Sequence, residues 1–135
     1  MADREGGCLC GAVRYVLKAE PVTTAVCHCT HCQRQSGGVF STNLVIPEAA
    51  YVQTGETKVY DDNGDSGLAV WRHFCPSCGS PIISRIAVMP GVVMVKAGTL
   101  DDMSGLTPDI EVYTDHAADW IAPIPGARRF GQSAG

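Results

Sequence analysis

The sequence predicts an all-β domain stapled by metal, and three observations lead there. Apolar and β-branched residues come in short runs, each ended by proline, glycine or an acidic turn. No stretch carries the 3.6-residue amphipathic period of a long helix. Seven cysteines fall into three tight groups at the ends of those runs: Cys8/Cys10, Cys27/Cys29/Cys32 and Cys75/Cys78.

In chain order, Gly6-Gly7-Cys8-Leu9-Cys10-Gly11 is a turn in which flanking glycines let two sulfurs face one point. Ala12–Leu17 alternates enough to read as a strand, and Pro21 ends that region. Val22–Val26 is a second strand that delivers Cys27. His31–Ser36 fits a short helical turn stopped by Gly37-Gly38. Val39–Ile46 is a third strand, closed by Pro47. Tyr51–Gln53 and Lys58–Tyr60 flank a Thr54-Gly55-Glu56 turn. Asp61–Gly67 is acidic and glycine-containing but lacks the downstream glutamate and flanking helices of a calcium loop, so it reads as a solvated turn. Leu68–Phe74 feeds the knuckle Cys75-Pro76-Ser77-Cys78-Gly79. Pro81–Val88, Val92–Ala97 and Asp109–Thr114 complete about eight to ten strands, and the tail after Trp120 is rich in proline, glycine and alanine.

At 135 residues the chain fits one domain, spanning 1–135 with its core at about 6–121. A hydrophobic share of 45% against 18% charged residues marks a folded protein rather than a disordered one. The formal charge of −4 grows more negative once seven thiolates bind divalent metal, and Arg128-Arg129 is the only adjacent basic pair. Nucleic acid is therefore not an expected partner. No run approaches the ~18 apolar residues of a membrane span. The first seven residues offer no apolar export signal, so a reducing, cytoplasmic location is expected, where clustered cysteines are read as metal ligands before disulfides. An exposed β edge could pair two copies into a homo-oligomer.

The cysteines divide four and three. Cys8, Cys10, Cys75 and Cys78 sit on two distant knuckles and together suit a closed, structural zinc site. Cys27, Cys29 and Cys32, at C-x-C-x-x-C spacing, supply three corners of a tetrahedron and leave the fourth open, the pattern of catalytic zinc. A second reading closes that site with His28, His31, His73 or His116 and makes the chain a non-catalytic, zinc-stapled interaction module. A third makes it a zinc store or redox sensor, with a disulfide forming within Cys27–Cys32. Zinc carrying three thiolates is a weak Lewis acid but binds a thiol and keeps it ionised, which favours thiol chemistry over hydrolysis. Arg34, two residues beyond Cys32, is a candidate anchor for a carboxylate or phosphate on that thiol.

The order G-x-C-x-C-G (6–11), C-H-C-x-x-C-x-R-x-x-G (27–37) and F-C-P-x-C-G-x-P (74–81) resembles the glutathione-dependent formaldehyde-activating family. Centromere protein V belongs to the same superfamily. Gly98-Thr99-Leu100-Asp101 and the late Tyr113, Asp119 and Trp120 are similar to its C-terminal pattern. The resemblance implies a β-tent fold of curved antiparallel sheets with two zinc ions. Cys8, Cys10, Cys75 and Cys78 would hold the structural ion, and Cys27, Cys29 and Cys32 the catalytic one. It also implies a carbon–sulfur lyase that joins formaldehyde to glutathione, giving S-(hydroxymethyl)glutathione.

Overall fold

Strand periodicity sorts this chain into two unequal sheets. The computed structural model describes residues 3–134, so the expected domain limits Met1 and Gly135 lie outside the described residues. The strands are β1 (Arg4–Gly7), β2 (Arg14–Leu17), β3 (Thr23–Cys27), β4 (Ser41–Pro47), β5 (Tyr51–Thr54), β6 (Lys58–Asn63), β7 (Ala69–Phe74), β8 (Pro81–Ile86), β9 (Val92–Lys96), β10 (Ile110–Val112) and β11 (Arg128–Arg129). Among the described residues one helix, α1 (Thr30–Ser36), interrupts them, and single 3-10 turns cover Glu48–Ala50, Ala97–Thr99 and Thr114–His116. The small sheet has the order β1-β2-β5, and the large one β11-β10-β3-β4-β9-β8-β7-β6. The all-β expectation holds.

Most neighbours pair antiparallel, but β10 runs parallel to both β3 and β11. The connection from β9 to β10 crosses over the sheet instead of turning back on it, and that sets the direction. β1 and β11 were not expected from the sequence. Arg4–Gly7 and Arg128–Arg129 have no apolar alternation, and their strand character comes from the neighbours they pair with.

Because side chains alternate across a strand, the register assigns each face of the large sheet. Leu44 faces Val95, which faces Ile83, and Ile46 faces Val93. This apolar face joins Val13, Tyr15 and Leu17 of the small-sheet side in one buried core. On the other face Cys27 lies opposite Ser41, Asn43 opposite Lys96, Ser84 opposite Arg72, and Arg72 opposite Tyr60. The same pleat that builds the core thus lays a polar row across the sheet, from Cys27 toward Asp62.

Tyr15 ties the sheets together through its hydroxyl, 2.7 Å from Thr99 Oγ1. The turn at Gly55 closes just as tightly. Its φ of +83° is in the left-handed region, and a Cβ there would collide with the Ala12 carbonyl oxygen. Gly55→Ala is therefore expected to cost about 2 kcal/mol or more, from strain and collision together. A urea titration at fixed pH reads this as a lower midpoint with an unchanged slope.

Candidate metal centres

Each cysteine group is positioned by local turn geometry. After β7 the chain folds back so that the Gly79 amide donates to the Cys75 carbonyl, at a φ of +78° that only glycine adopts freely. The amides of Ser77 and Cys78 both point at Cys75 Sγ, at 3.4 Å. After β1, the Val13 amide points at Cys8 Sγ at 3.2 Å. The two knuckles meet: Cys8 Sγ lies 3.6 Å from Cys10 Sγ, and Cys10 Sγ lies 3.7 Å from Cys75 Sγ. Four sulfurs bonded at about 2.3 Å to one tetrahedral ion stand about 3.8 Å apart, so the donor set fits zinc in size and chemistry. The Ser80 hydroxyl, 3.2 Å from Cys78 Sγ, and the Ser80 amide hold that thiol at about 5. A thiolate is the form a metal needs.

The second group is built differently. Cys27 ends β3, Cys29 caps α1 by accepting from the Cys32 amide at 3.3 Å, and Cys32 is buried on the helix's inner side. Their three sulfurs lie within 4.8 Å of one another, as do the four of the first group. Among the described residues no histidine or carboxylate joins either group. Both clusters could hold a metal ion.

Hydrogen bonds from Cys27 and Cys29 hold the Cys32 thiol down at about 2, while Cys27 is pushed up by sharing its proton with Cys29 and Cys32. The cluster thus favours negative charge at Cys32. Two basic side chains on the polar face of the sheet favour it further. Arg72 and Lys96 are each 6% exposed, and both lower the Cys32 thiol through their charge. Arg72 Nε donates to Asp62 Oδ2 at 2.9 Å. Asp62 Oδ2 further accepts from His31 Nδ1 at 2.7 Å. Burial pushes the Asp62 carboxyl up, but the bonds from His31 and Arg72 outweigh it and hold it at about 2. Lys96 Nζ donates to Ser41 Oγ at 2.8 Å.

Lys96 and Ser41 also form one wall of a groove of about 460 Å³, whose other walls include Phe40, Pro81, Ala97 and Met103. On the far side of the cysteines, His28 is 1% exposed and Glu111 0%. His28 Nε2 donates to Glu111 Oε1 at 2.9 Å, and Glu111 Oε2 accepts from Arg129 and from the Ile124 amide. Tyr113, next to this pair, is the one described non-glycine residue with positive φ, at 56°.

The structure therefore groups the seven cysteines four and three and leaves the histidines outside both groups. His28 and His31 bond to carboxylates, His73 to Thr57 and Arg85 on the apolar side of the sheet, and the His116 carbonyl accepts from Gln33. Arg34 is exposed in the last turn of α1, away from the groove lining. The Asp61–Gly67 segment, expected as a solvated turn, is only partly one. β6 extends to Asn63, and Asp62 is drawn under α1 because Arg72 and His31 need its carboxylate. Sequence reasoning missed Arg72, Lys96, Asp62 and Glu111. A usable signal was present for two of them: Arg72 and Lys96 are the charged residues of two mostly apolar runs, LAVWRHF and VVMVKA.

The fold and the clusters define a cysteine-rich β domain with two sites suited to metal. The chain belongs to the glutathione-dependent formaldehyde-activating enzyme family, whose model matches residues 3–116. A protein of Halomonas elongata, named provisionally as a glutathione-dependent formaldehyde-activating enzyme, is 28% identical over 123 residues, covering 87% of this chain and 78% of that one. A crystal structure of a Rhodobacter sphaeroides protein superimposes with a TM-score of 0.56 at 21% identity, over 77% of this chain and 91% of that one. It is similar in fold. No helix among the described residues is long and apolar enough to cross a membrane.

Proposed function

We propose that this protein is a zinc-dependent carbon–sulfur lyase acting on adducts of glutathione or a related thiol, resembling S-(hydroxymethyl)glutathione synthase. In this reading Cys8, Cys10, Cys75 and Cys78 hold a structural zinc, and Cys27, Cys29 and Cys32 a catalytic one. The observation that carries it is the pairing of a three-sulfur cluster with two buried cations, Arg72 and Lys96. A zinc ion held there would supply the chemistry of keeping an incoming thiol ionised at neutral pH.

The chain's own residues prepare for that ion. Three thiolates joined by a fourth from the substrate concentrate negative charge in a poorly solvated place. Arg72 and Lys96 offset it at short range, where a low dielectric makes each charge count. Asp62 keeps the Arg72 guanidinium aimed, and the groove beside Ser41 gives room for the rest of the adduct. Arg34, being exposed, would meet only the outer end of a long thiol such as a tripeptide, where its guanidinium could pair a carboxylate. Seven cysteines committed to metal as thiolates would suit a reducing, cytoplasmic location.

Cobalt substitution tests the reading. With cobalt in both sites, glutathione should change the thiolate-to-cobalt absorption of one site and leave the other as it was. A spectrum indifferent to added thiol would instead favour a non-catalytic module with two closed sites.

A further inference from the structure

Lys96 is unusual among the charged residues of this chain. It is buried, no carboxylate among the described residues pairs with it, and Ser41 Oγ is its one hydrogen-bond acceptor there. An ammonium has three donors, so two find no acceptor among the described residues. Burying a charge in that condition is unfavourable, and such groups are kept where something negative arrives. Arg72 lies on the same polar face, so Lys96 is not the sole counter-charge available to the sulfurs. Lys96 lines the groove, and Ser41, its acceptor, sits opposite Cys27. The groove and the three-cysteine cluster therefore share a wall.

We propose that this groove holds the electrophile, and that Lys96 is a catalytic residue that donates to the carbonyl oxygen as it becomes negative. The inference rests on the thiol chemistry proposed above. In the forward step a sulfur lone pair of the substrate thiolate forms the carbon–sulfur bond at the carbonyl carbon. The carbon–oxygen π pair moves to oxygen, where the Lys96 ammonium receives it by hydrogen bond. A proton from water then gives the hydroxyl, balancing the proton that the thiol released. Adduct cleavage is the reverse.

The walls define the class of electrophile. Most of the lining surface is apolar, with Phe40, Pro81, Ala97 and Met103 among its residues and serine and threonine hydroxyls between them, and a one-carbon aldehyde would leave most of the roughly 460 Å³ unfilled. Glutathione, with two carboxylates and an ammonium, would meet a single cation and a mostly apolar lining there. The groove suits an aldehyde with an apolar chain of several carbons.

The test measures thiol–aldehyde exchange by NMR with glutathione and straight-chain aldehydes from one to six carbons. In the wild type, kcat/KM should rise about tenfold or more along the series, since each buried methylene contributes to binding. A flat or falling series overturns the assignment of the groove. Lys96→Met should lower kcat about 100-fold, the usual effect of losing one oxyanion donor, with Lys96→Arg recovering part of it. In the cobalt-substituted Lys96→Met protein, glutathione should still shift the spectrum, at a higher concentration than in the wild type because one of the two cations beside the sulfurs is gone. If that shift is lost together with kcat, Lys96 serves the thiol and is not the donor to the carbonyl oxygen. If the wild type itself shows no shift, the thiol reading fails and the role of Lys96 falls with it. Should Lys96→Met not fold, Lys96→Arg reads the role of Lys96 by the same kcat comparison, and the chain-length series in the wild type still decides the assignment of the groove.

Discussion

Cys75→Ser is expected to lose most of the protein's folding stability. Cys75 is fully buried at the end of β7, and its sulfur gathers two amides of its own knuckle while facing Cys10 from the other. The two knuckles join the end of β1 in the small sheet to the end of β7 in the large one, so a metal there fastens sheet to sheet. In small zinc-stapled peptides such a site contributes apparent free energy of about 10–16 kcal/mol. A whole domain is stable by only about 5–15 kcal/mol. Serine offers a weaker, protonated ligand and leaves three thiolates. Circular dichroism during heating should show a much earlier and broader transition, with zinc content reduced. Cys32→Ser should melt close to the wild type, because the three-cysteine cluster closes on one helix and one strand end within the same sheet. Equal melting of Cys75→Ser and wild type would contradict the structural role of the four-sulfur site.

Glu111→Ala should be nearly as damaging without touching a cysteine. The carboxylate is enclosed and serves three donors: His28 from β3's end, Arg129 in β11, and the Ile124 amide in the tail. Alanine removes both acceptor oxygens at once, strands all three donors and leaves His28 buried and unpaired. Losing one side of a buried pair costs about 3–5 kcal/mol. Glu111→Gln keeps the shape and some bonds, so its cost should be smaller, about 1–3 kcal/mol.

The pH dependence has a definite sign. Burial pushes the Glu111 carboxyl up, but the bonds from His28 and Ile124 and the Arg129 charge hold it below its ordinary value. A depressed native pKa adds stability above the unfolded pKa, and that stability is lost as pH falls through the native one. The difference between wild type and Glu111→Gln in urea should therefore be full at neutral pH and shrink in acid. A difference that grows in acid would exclude this account of Glu111.

What could be read from sequence is explained by the same physics. The strands β4, β8 and β9 carry apolar residues that build one core, and their runs show in the chain. The cysteine groups are legible because metal chemistry demands fixed spacing at turns, and α1 because Gly37 marks its end with a φ of +74°. β1 and β11 were hidden because pairing, not composition, makes them strands. Arg72, Lys96 and Asp62 come from three different strands, and only the register brings them to one face beside Cys32. Glu111 was hidden for a related reason. It reaches His28 through a parallel pairing between β3 and β10 that no local pattern announces.

The central claim is that the three-cysteine cluster receives a substrate thiol and does its chemistry there. Exchange NMR on glutathione and formaldehyde, with wild type and Cys32→Ser side by side, tests it most directly. The account predicts exchange faster than background in the wild type, and background exchange in a Cys32→Ser protein that stays folded with its four-sulfur site loaded. Equal acceleration by both proteins would contradict it.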